Sequence, residues 1–301
     1  MPTHINTPAL AKELLDNNDT FLFDCDGVLW RGSTLLPHTK EMLKLLRDNN
    51  KQVVFVTNNS TKSRKQYVSK FEKLGVDASK VEIFGSAYSV AVYLSNSDRF
   101  DKSSQKAFVV GEQGLVDELE EAGISTVGGA DPHLNSVMST EEEAKLAKRD
   151  SSIGAVVTGL DSHINYLKFA IAQAQLLKND KECLFVATNI DSTFPSSAGV
   201  MPGAGTIVEA VATCSNRRPD AILGKPSKAM MDSVKLNFNL NPSRTVMVGD
   251  RLNTDMHFGK DSGLNTLFVL SGVDNLESLP KADVDPTYYA ENLGSVYELL
   301  Q

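Results

Sequence analysis

Short apolar runs alternate with stretches whose apolar residues recur every three or four positions, and the alternation persists along almost the whole chain. The pattern predicts a helix over 5–18, a strand over 21–23, a helix over 39–46, a strand over 53–56, a helix over 65–74, a strand over 81–84 and a helix over 87–94. A polar, loop-like stretch at 95–106 marks a domain boundary. A second series follows: strands over 107–110, 154–158 and 183–188, with helices over 115–122, 166–177 and 206–214, and a loop over 189–195. Strands over 221–223, 245–248 and 267–270 and a closing helix near Val296 complete the chain. Strands that alternate with helices pair in parallel, which gives an α/β fold with a doubly wound, Rossmann-like sheet.

Four of these strands run directly into polar groups. The first leads into Asp24-Cys25-Asp26-Gly27-Val28-Leu29-Trp30, where two carboxylates at i and i+2 project to one side of an extended chain and a glycine lets the backbone turn away. They stand close enough to share a metal or to divide nucleophile and acid duties. The others end in Thr57-Asn58-Asn59-Ser60, in Gly224-Lys225-Pro226-Ser227 and in Gly249-Asp250-Arg251-Leu252-Asn253-Thr254-Asp255. In open parallel sheets ligands sit outside the carboxyl ends of the strands, so all four groups are expected on one edge of one sheet. Pro226 breaks a P-loop pattern, and Gly203-Ala204-Gly205-Thr206 lacks the third glycine of a dinucleotide fingerprint.

The sequence of 301 residues suggests about two domains, and its net charge of −8, with no basic tract interleaved with aromatics, argues against a nucleic-acid partner. No apolar stretch approaches the ~18 residues of a membrane span, and residues 1–18 lack the apolar centre of a secretory signal. The cytoplasm is the expected compartment, with the nucleus as an added one. Cys25, Cys183 and Cys214 are too few and too scattered for a disulfide framework or a zinc cluster, and Cys25 reads as a small buried filler. The charged stretch at 131–152 reads as surface and is assigned no function.

An anionic substrate of an acidic chain needs local positive charge. Phosphate monoesters demand accelerations of up to ~10²¹, whereas one general acid contributes only ~10² to 10⁴, so electrostatics must dominate. A divalent cation held by Asp24, Asp250 and the backbone carbonyl of Asp26 would neutralise phosphoryl oxygens, and an all-oxygen ligand set favours Mg²⁺. Lys225 adds a point charge; Thr57 and the amides at Asn58 and Asn59 hold the remaining oxygens.

Together the four motifs resemble those of the haloacid dehalogenase superfamily, and more narrowly its C2-capped 4-nitrophenylphosphatase and phosphoglycolate phosphatase group, over the whole chain. The resemblance implies that Asp24 is the nucleophile, forming an aspartyl-phosphate, and that Asp26 is the acid that protonates the leaving oxygen and then activates water. It implies Asp250 as metal ligand, with Asp255 supporting the metal site or Lys225. It further implies a catalytic core of 1–103 and 221–301 and an inserted α/β cap of 104–220 that mediates dimerisation and chooses the substrate. Within that cap Thr188, Asn189, Asp191 and Phe194 are candidates to face the leaving group.

The expected activity is Mg²⁺-dependent hydrolysis of small phosphorylated metabolites, with 2-phosphoglycolate first and 4-nitrophenyl phosphate as a synthetic substrate. A pyridoxal phosphatase or a protein phosphatase on the same scaffold is the alternative, and a phosphomutase, a dehalogenase or a non-catalytic metal-binding regulator stand further off. His133 and His163 read as surface residues, and the absence of histidine from 189–195 favours the glycolate type.

Overall fold

The computed structural model describes residues 2–135, 137–142, 150–177, 183–196 and 199–301, so most of the basic half of the charged stretch at 131–152 lies outside the described residues. Two compact units are present. Met1–Thr57, Tyr67–Phe84 and Lys225–Gln301 make the first, and Asn58–Gln66 and Gly85–Gly224 the second.

The first unit is built on a seven-stranded sheet with the strand order Thr3–His4, Tyr288–Ala290, Asn265–Val269, Thr245–Gly249, Thr20–Phe23, Gln52–Thr57, Ile83–Gly85. Pairing is parallel from Thr3–His4 across to Gln52–Thr57. Because alternate residues of a strand share a face, Phe21, Phe23, Val53, Phe55, Val246, Val248, Leu267 and Val269 fall on one side and pack with Leu14, Leu43, Leu46, Phe71 and Val296 from the helices. Removal of each such side chain from water contributes about 1.5–3 kcal/mol. Phe268, of opposite parity, packs with Leu252, Met256 and Val284 instead. The first helix, Pro8–Asn17, begins where the Thr7 hydroxyl accepts from the Leu10 amide and proline occupies the first turn, where its missing N–H costs nothing.

The second unit carries a five-stranded parallel sheet in the order Ala221–Ile222, Leu184–Ala187, Ile153–Thr158, Lys106–Val110, Ser125–Gly128. Phe108, Val110, Val156, Phe185 and Ala187 pack there with Ala172 and Leu176 of the helix Tyr166–Leu176 and with Ile207, Val208 and Val211 of the helix Ala204–Ser215. The helix Ser86–Ser95 belongs to this unit as well.

Three features differ from the sequence-based expectation. The strand before Lys225 does not join the seven-stranded sheet: Ala221–Ile222 pairs with Leu184–Ala187, fixed there because the Asp220 amide donates to the Phe185 carbonyl while the Asp220 carboxylate accepts from the Phe185 amide. The loop expected at 189–195 folds in part into an antiparallel ribbon, Thr193–Ser196 with Gly199–Pro202, in which Gly199 opens the second strand at a positive φ of 106°. A helix at Lys228–Asn237, capped by the Ser227 hydroxyl accepting from the Ala229 amide, lies in a stretch for which the pattern predicts nothing. Among the described residues, no helix is long and apolar enough to cross a membrane.

Candidate active site

Three neighbouring strands of the first unit set the site. Val248, Phe23 and Phe55 are in register, so the residues that follow them reach the carboxyl edge of the sheet at one level: Asp24 in the middle, Gly249 and Asp250 on one side, Val56 and Thr57 on the other. Lys225 enters this edge with its ammonium buried, 2.5 Å from Oδ1 of Asp24 and 2.8 Å from Oδ1 of Asp255, and it donates to the Val56 carbonyl at 2.8 Å. Asp24, Asp250 and Asp255 each bring a carboxylate oxygen within 4.8 Å of the others. Of the residues expected together on this edge, Asp24, Lys225, Asp250 and Asp255 lie close to one another, although the strand before Lys225 lies in another sheet.

Asp255 sits in the π-turn Leu252–Met256, where its Oδ2 accepts from the amides of Asp250 and Arg251 at 3.1 Å each. Its buried Oδ1 accepts no hydrogen bond of good geometry and has the Lys225 ammonium as its ion-pair partner. Asp250 accepts from the Val273 amide at 2.7 Å. The carboxylates are packed against bare backbone: a methyl group at Gly27 or Gly272 would collide with the Asp250 carboxylate, and one at Gly249 with Asp255. Gly27 also holds a φ of 92°, which favours glycine on conformational grounds.

The charge is unbalanced. Three carboxylates share one lysine in a buried place, and burial, followed by the charge of Asp255 and Asp26, pushes the Asp24 carboxyl up to about 7 although Lys225 opposes the shift. Burial and the charges of Asp24 and Asp255 push Asp250 well above the usual carboxylate range. For Lys225 burial works downward, but Asp24 and Asp255 outweigh it and hold the ammonium above its ordinary value. A hard divalent cation fits this set, since the donors are all oxygens and the surplus charge is negative.

Asp26 stands apart from that cluster. Its Oδ1 accepts from the indole Nε1 of Trp30 at 2.7 Å and lies 3.7 Å from the Lys70 ammonium. The Thr57 hydroxyl lies 3.5 Å from the Tyr67 phenol oxygen. Cys25, between the two aspartates, is fully buried, and burial together with Asp24 and Asp26 pushes its thiol well above the usual range, as suits an inert filler.

The remaining candidates lie in the second unit. Asp191 Oδ2 accepts from the side-chain amides of Asn58 at 3.0 Å and Asn189 at 2.9 Å, while the buried Thr188 hydroxyl donates to Asn189 Oδ1 and stands 3.3 Å from Ser60 Oγ. Asn59 Oδ1 accepts from the Thr61 amide and hydroxyl. Phe194 is half-buried in the ribbon, opposite Met201. The segment at 58–66 is anchored here by the buried Glu118, which accepts from the Arg64 amide at 2.5 Å and from its Nε at 2.9 Å. A methyl at Gly114 would collide with the Lys62 backbone. His133 and His163 are exposed. Glu112, Asp161 and His163 form a second acidic group, but the buried Lys168 already neutralises Asp161 at 2.8 Å.

Models of two related families match the chain: haloacid dehalogenase-like hydrolase over residues 21–125, and HAD-hydrolase-like over residues 222–296. The 4-nitrophenylphosphatase of Schizosaccharomyces pombe is 42% identical over 301 residues, 99% of each chain. The chain belongs to the haloacid dehalogenase-like hydrolases. Phosphoglycolate phosphatase 2 of Arabidopsis thaliana, also 42% identical, aligns over 96% of each chain. The glycerol phosphate phosphatase Rv1692 of Mycobacterium tuberculosis, solved in complex with magnesium, superposes with a TM-score of 0.78 at 26% identity, over 94% of this chain and 77% of that one. The same protein is also solved with calcium. The α/β fold inferred from the strand-helix alternation is thus the fold of this family.

Sequence reasoning missed the loop after the strand Asn265–Val269. Its Ser271 accepts from Arg31 through the carbonyl and donates to the Gly27 carbonyl at 2.7 Å, and its Gly272 and Val273 seat Asp250. The signal was present as a further strand running into Ser-Gly. Replacement of Gly272 by alanine should displace the Asp250 carboxylate and lower turnover by about 10²-fold, the effect of roughly an ångström of misplacement. Calorimetric titration with Mg²⁺ should show weaker binding, and unchanged Mg²⁺ affinity would show that the cradle is dispensable.

Proposed function

We propose that this hydrolase cleaves small phosphate monoesters through an aspartyl-phosphate on Asp24, with Mg²⁺ as its cation. The observation that carries the reading is the Lys225 ammonium set between Asp24 and Asp255 at the carboxyl edge of the sheet, with Asp250 within reach of both. Asp24, Asp250, Asp255 and the carbonyl of Asp26 would hold the cation, which when bound offsets the charge of the phosphoryl oxygens. Lys225 contacts the phosphoryl group and the nucleophile's second oxygen, and the Thr57 hydroxyl with the amides at Asn58 and Asn59 holds the rest.

In the first step an Asp24 oxygen forms a bond to phosphorus as the ester P–O bond breaks, and Asp26 passes its proton to the leaving oxygen. In the second, Asp26 takes a proton from water as that water's oxygen bonds to phosphorus and the Asp24–phosphorus bond breaks, which regenerates both carboxyl groups and frees inorganic phosphate. Covalent catalysis replaces one hard displacement by two easier ones. Residues 104–220 act as a substrate-selecting cap in this reading, with Asp191 and Phe194 in the binding set, and the chain forms a homodimer through them and works in the cytoplasm. The names of the relatives support a small metabolite, 2-phosphoglycolate first.

A screen of 2-phosphoglycolate, glycerol 3-phosphate, pyridoxal phosphate, a phosphopeptide and 4-nitrophenyl phosphate tests this directly. Phosphate release is expected with Mg²⁺ and its loss with excess chelator, the small metabolites leading. A protein that binds Mg²⁺ and frees phosphate from none of them is no phosphatase, and an isomerised ester in place of free phosphate would make it a mutase.

A further inference from the structure

Asp26 is placed by Trp30, which closes the first motif, and by Lys70, which no motif contains. Trp30, the single tryptophan of the sequence, is completely buried although it opens a short hairpin, Trp30–Arg31 with Thr34–Leu35, just after Asp26. The Trp30 amide donates to the Cys25 carbonyl and the Gly27 amide to the Trp30 carbonyl, so the loop closes on itself and presents the indole N–H to Asp26. The ring is fixed by Phe71, edge-on at 5.0 Å, and by Tyr67, stacked at 6.5 Å. On the helix Arg64–Lys73 the Lys70 ammonium lies 3.9 Å above the indole centroid and 3.7 Å from the same Asp26 oxygen that the indole holds. A cation on the face of an indole is attracted by the ring, and by polarising it makes the N–H a better donor.

We propose that Trp30 and Lys70 form a clamp on Oδ1 of Asp26, which aims the carboxyl so that Oδ2 exchanges the proton with the leaving oxygen. Both are positioning residues, acting through Asp26. The inference rests on the reading of Asp26 as the acid. Protonation of the leaving oxygen matters most when that oxygen belongs to an alcohol, because an alkoxide is a poor leaving group, and least for 4-nitrophenolate, which departs readily as an anion. Loss of the clamp therefore harms alkyl esters selectively, whereas general damage to the site would harm both classes alike.

The test compares kcat/KM for 2-phosphoglycolate or glycerol 3-phosphate with that for 4-nitrophenyl phosphate, because this ratio covers the steps up to departure of the alcohol. Trp30→Phe keeps a six-membered aromatic ring and removes the N–H together with the five-membered ring that carries it, so its melting temperature is measured beside the rates. It should lose on the order of 10-fold to 10²-fold with the alkyl ester and under about 3-fold with the nitrophenyl ester, a part of the whole worth of a general acid. Lys70→Met, on a partly exposed side chain, should show the same selectivity more weakly and should shift the tryptophan emission, as the cation leaves the ring. Asp26→Asn separates the two layers of the argument. If it discriminates between the esters while Trp30→Phe and Lys70→Met treat them equally, the clamp is wrong and the acid stands; if Asp26→Asn itself shows no discrimination, the acid assignment fails and the clamp with it.

Discussion

Asn in place of Asp24 should lower phosphate release by more than about 10⁴-fold while the protein stays folded, because the substitution removes the atom that bonds to phosphorus and keeps the shape of the side chain. The effect on stability has a definite sign. The Asp24 carboxyl titrates at about 7 in the fold against an ordinary 3.8, chiefly because it is buried. A group whose pKa is raised on folding takes up protons as the chain folds, so its charge destabilises the native state once pH rises through that interval. Removal of the charge should therefore leave the melting temperature equal or higher at about pH 8 in chelator. Circular dichroism melts and a phosphate assay on the same preparation check both halves, and full Mg²⁺-dependent hydrolysis by the variant would refute the assignment of the nucleophile.

The second large effect is expected at Lys225. Methionine there fills the space but leaves Asp24 and Asp255 buried without their common cation. Stripping one partner from a buried ion pair costs about 3–5 kcal/mol, and the loss of one preorganised contact to the phosphoryl group about 10² to 10³-fold in kcat. In the variant the Lys225 charge no longer opposes the upward shift of Asp24, so its stability should fall more steeply than that of the natural protein as pH rises from about 5 to about 8, and added Mg²⁺ should restore part of it. Chemical denaturation at the two pH values measures this. A Lys225→Met protein with an unchanged pH dependence would mean that the lysine does not balance the carboxylates.

The strands that end in Asp24, Thr57 and Asp250 were legible because a parallel sheet imposes both alternation and a common carboxyl edge, and each strand announces itself by an apolar run that stops at a polar group. Local pattern carries no information on which sheet a two-residue strand joins, and so Ala221–Ile222 was expected in one sheet with the other three polar-ended strands when it pairs with Leu184–Ala187. The ribbon at Thr193–Ser196 was hidden for a related reason, since Pro195 and short length suggest a loop and the partner strand is identified only by pairing. The Trp30 contact to Asp26 depends on how a loop folds back across four residues, a geometry that neither helical nor extended spacing describes.

Thr57 is the last residue of its strand, and in the segment that follows it Arg64 is held by Glu118 and Lys62 is seated against Gly114. An engineer who wished to transplant specificity between relatives by exchanging 85–224 would thus be exchanging the supports of 58–66 too. A hybrid that swapped the larger piece while retaining the recipient's 58–66 should recover its donor's preferences only after Thr61, Lys62, Ser63 and Arg64 are matched to the incoming helix Gln113–Glu121.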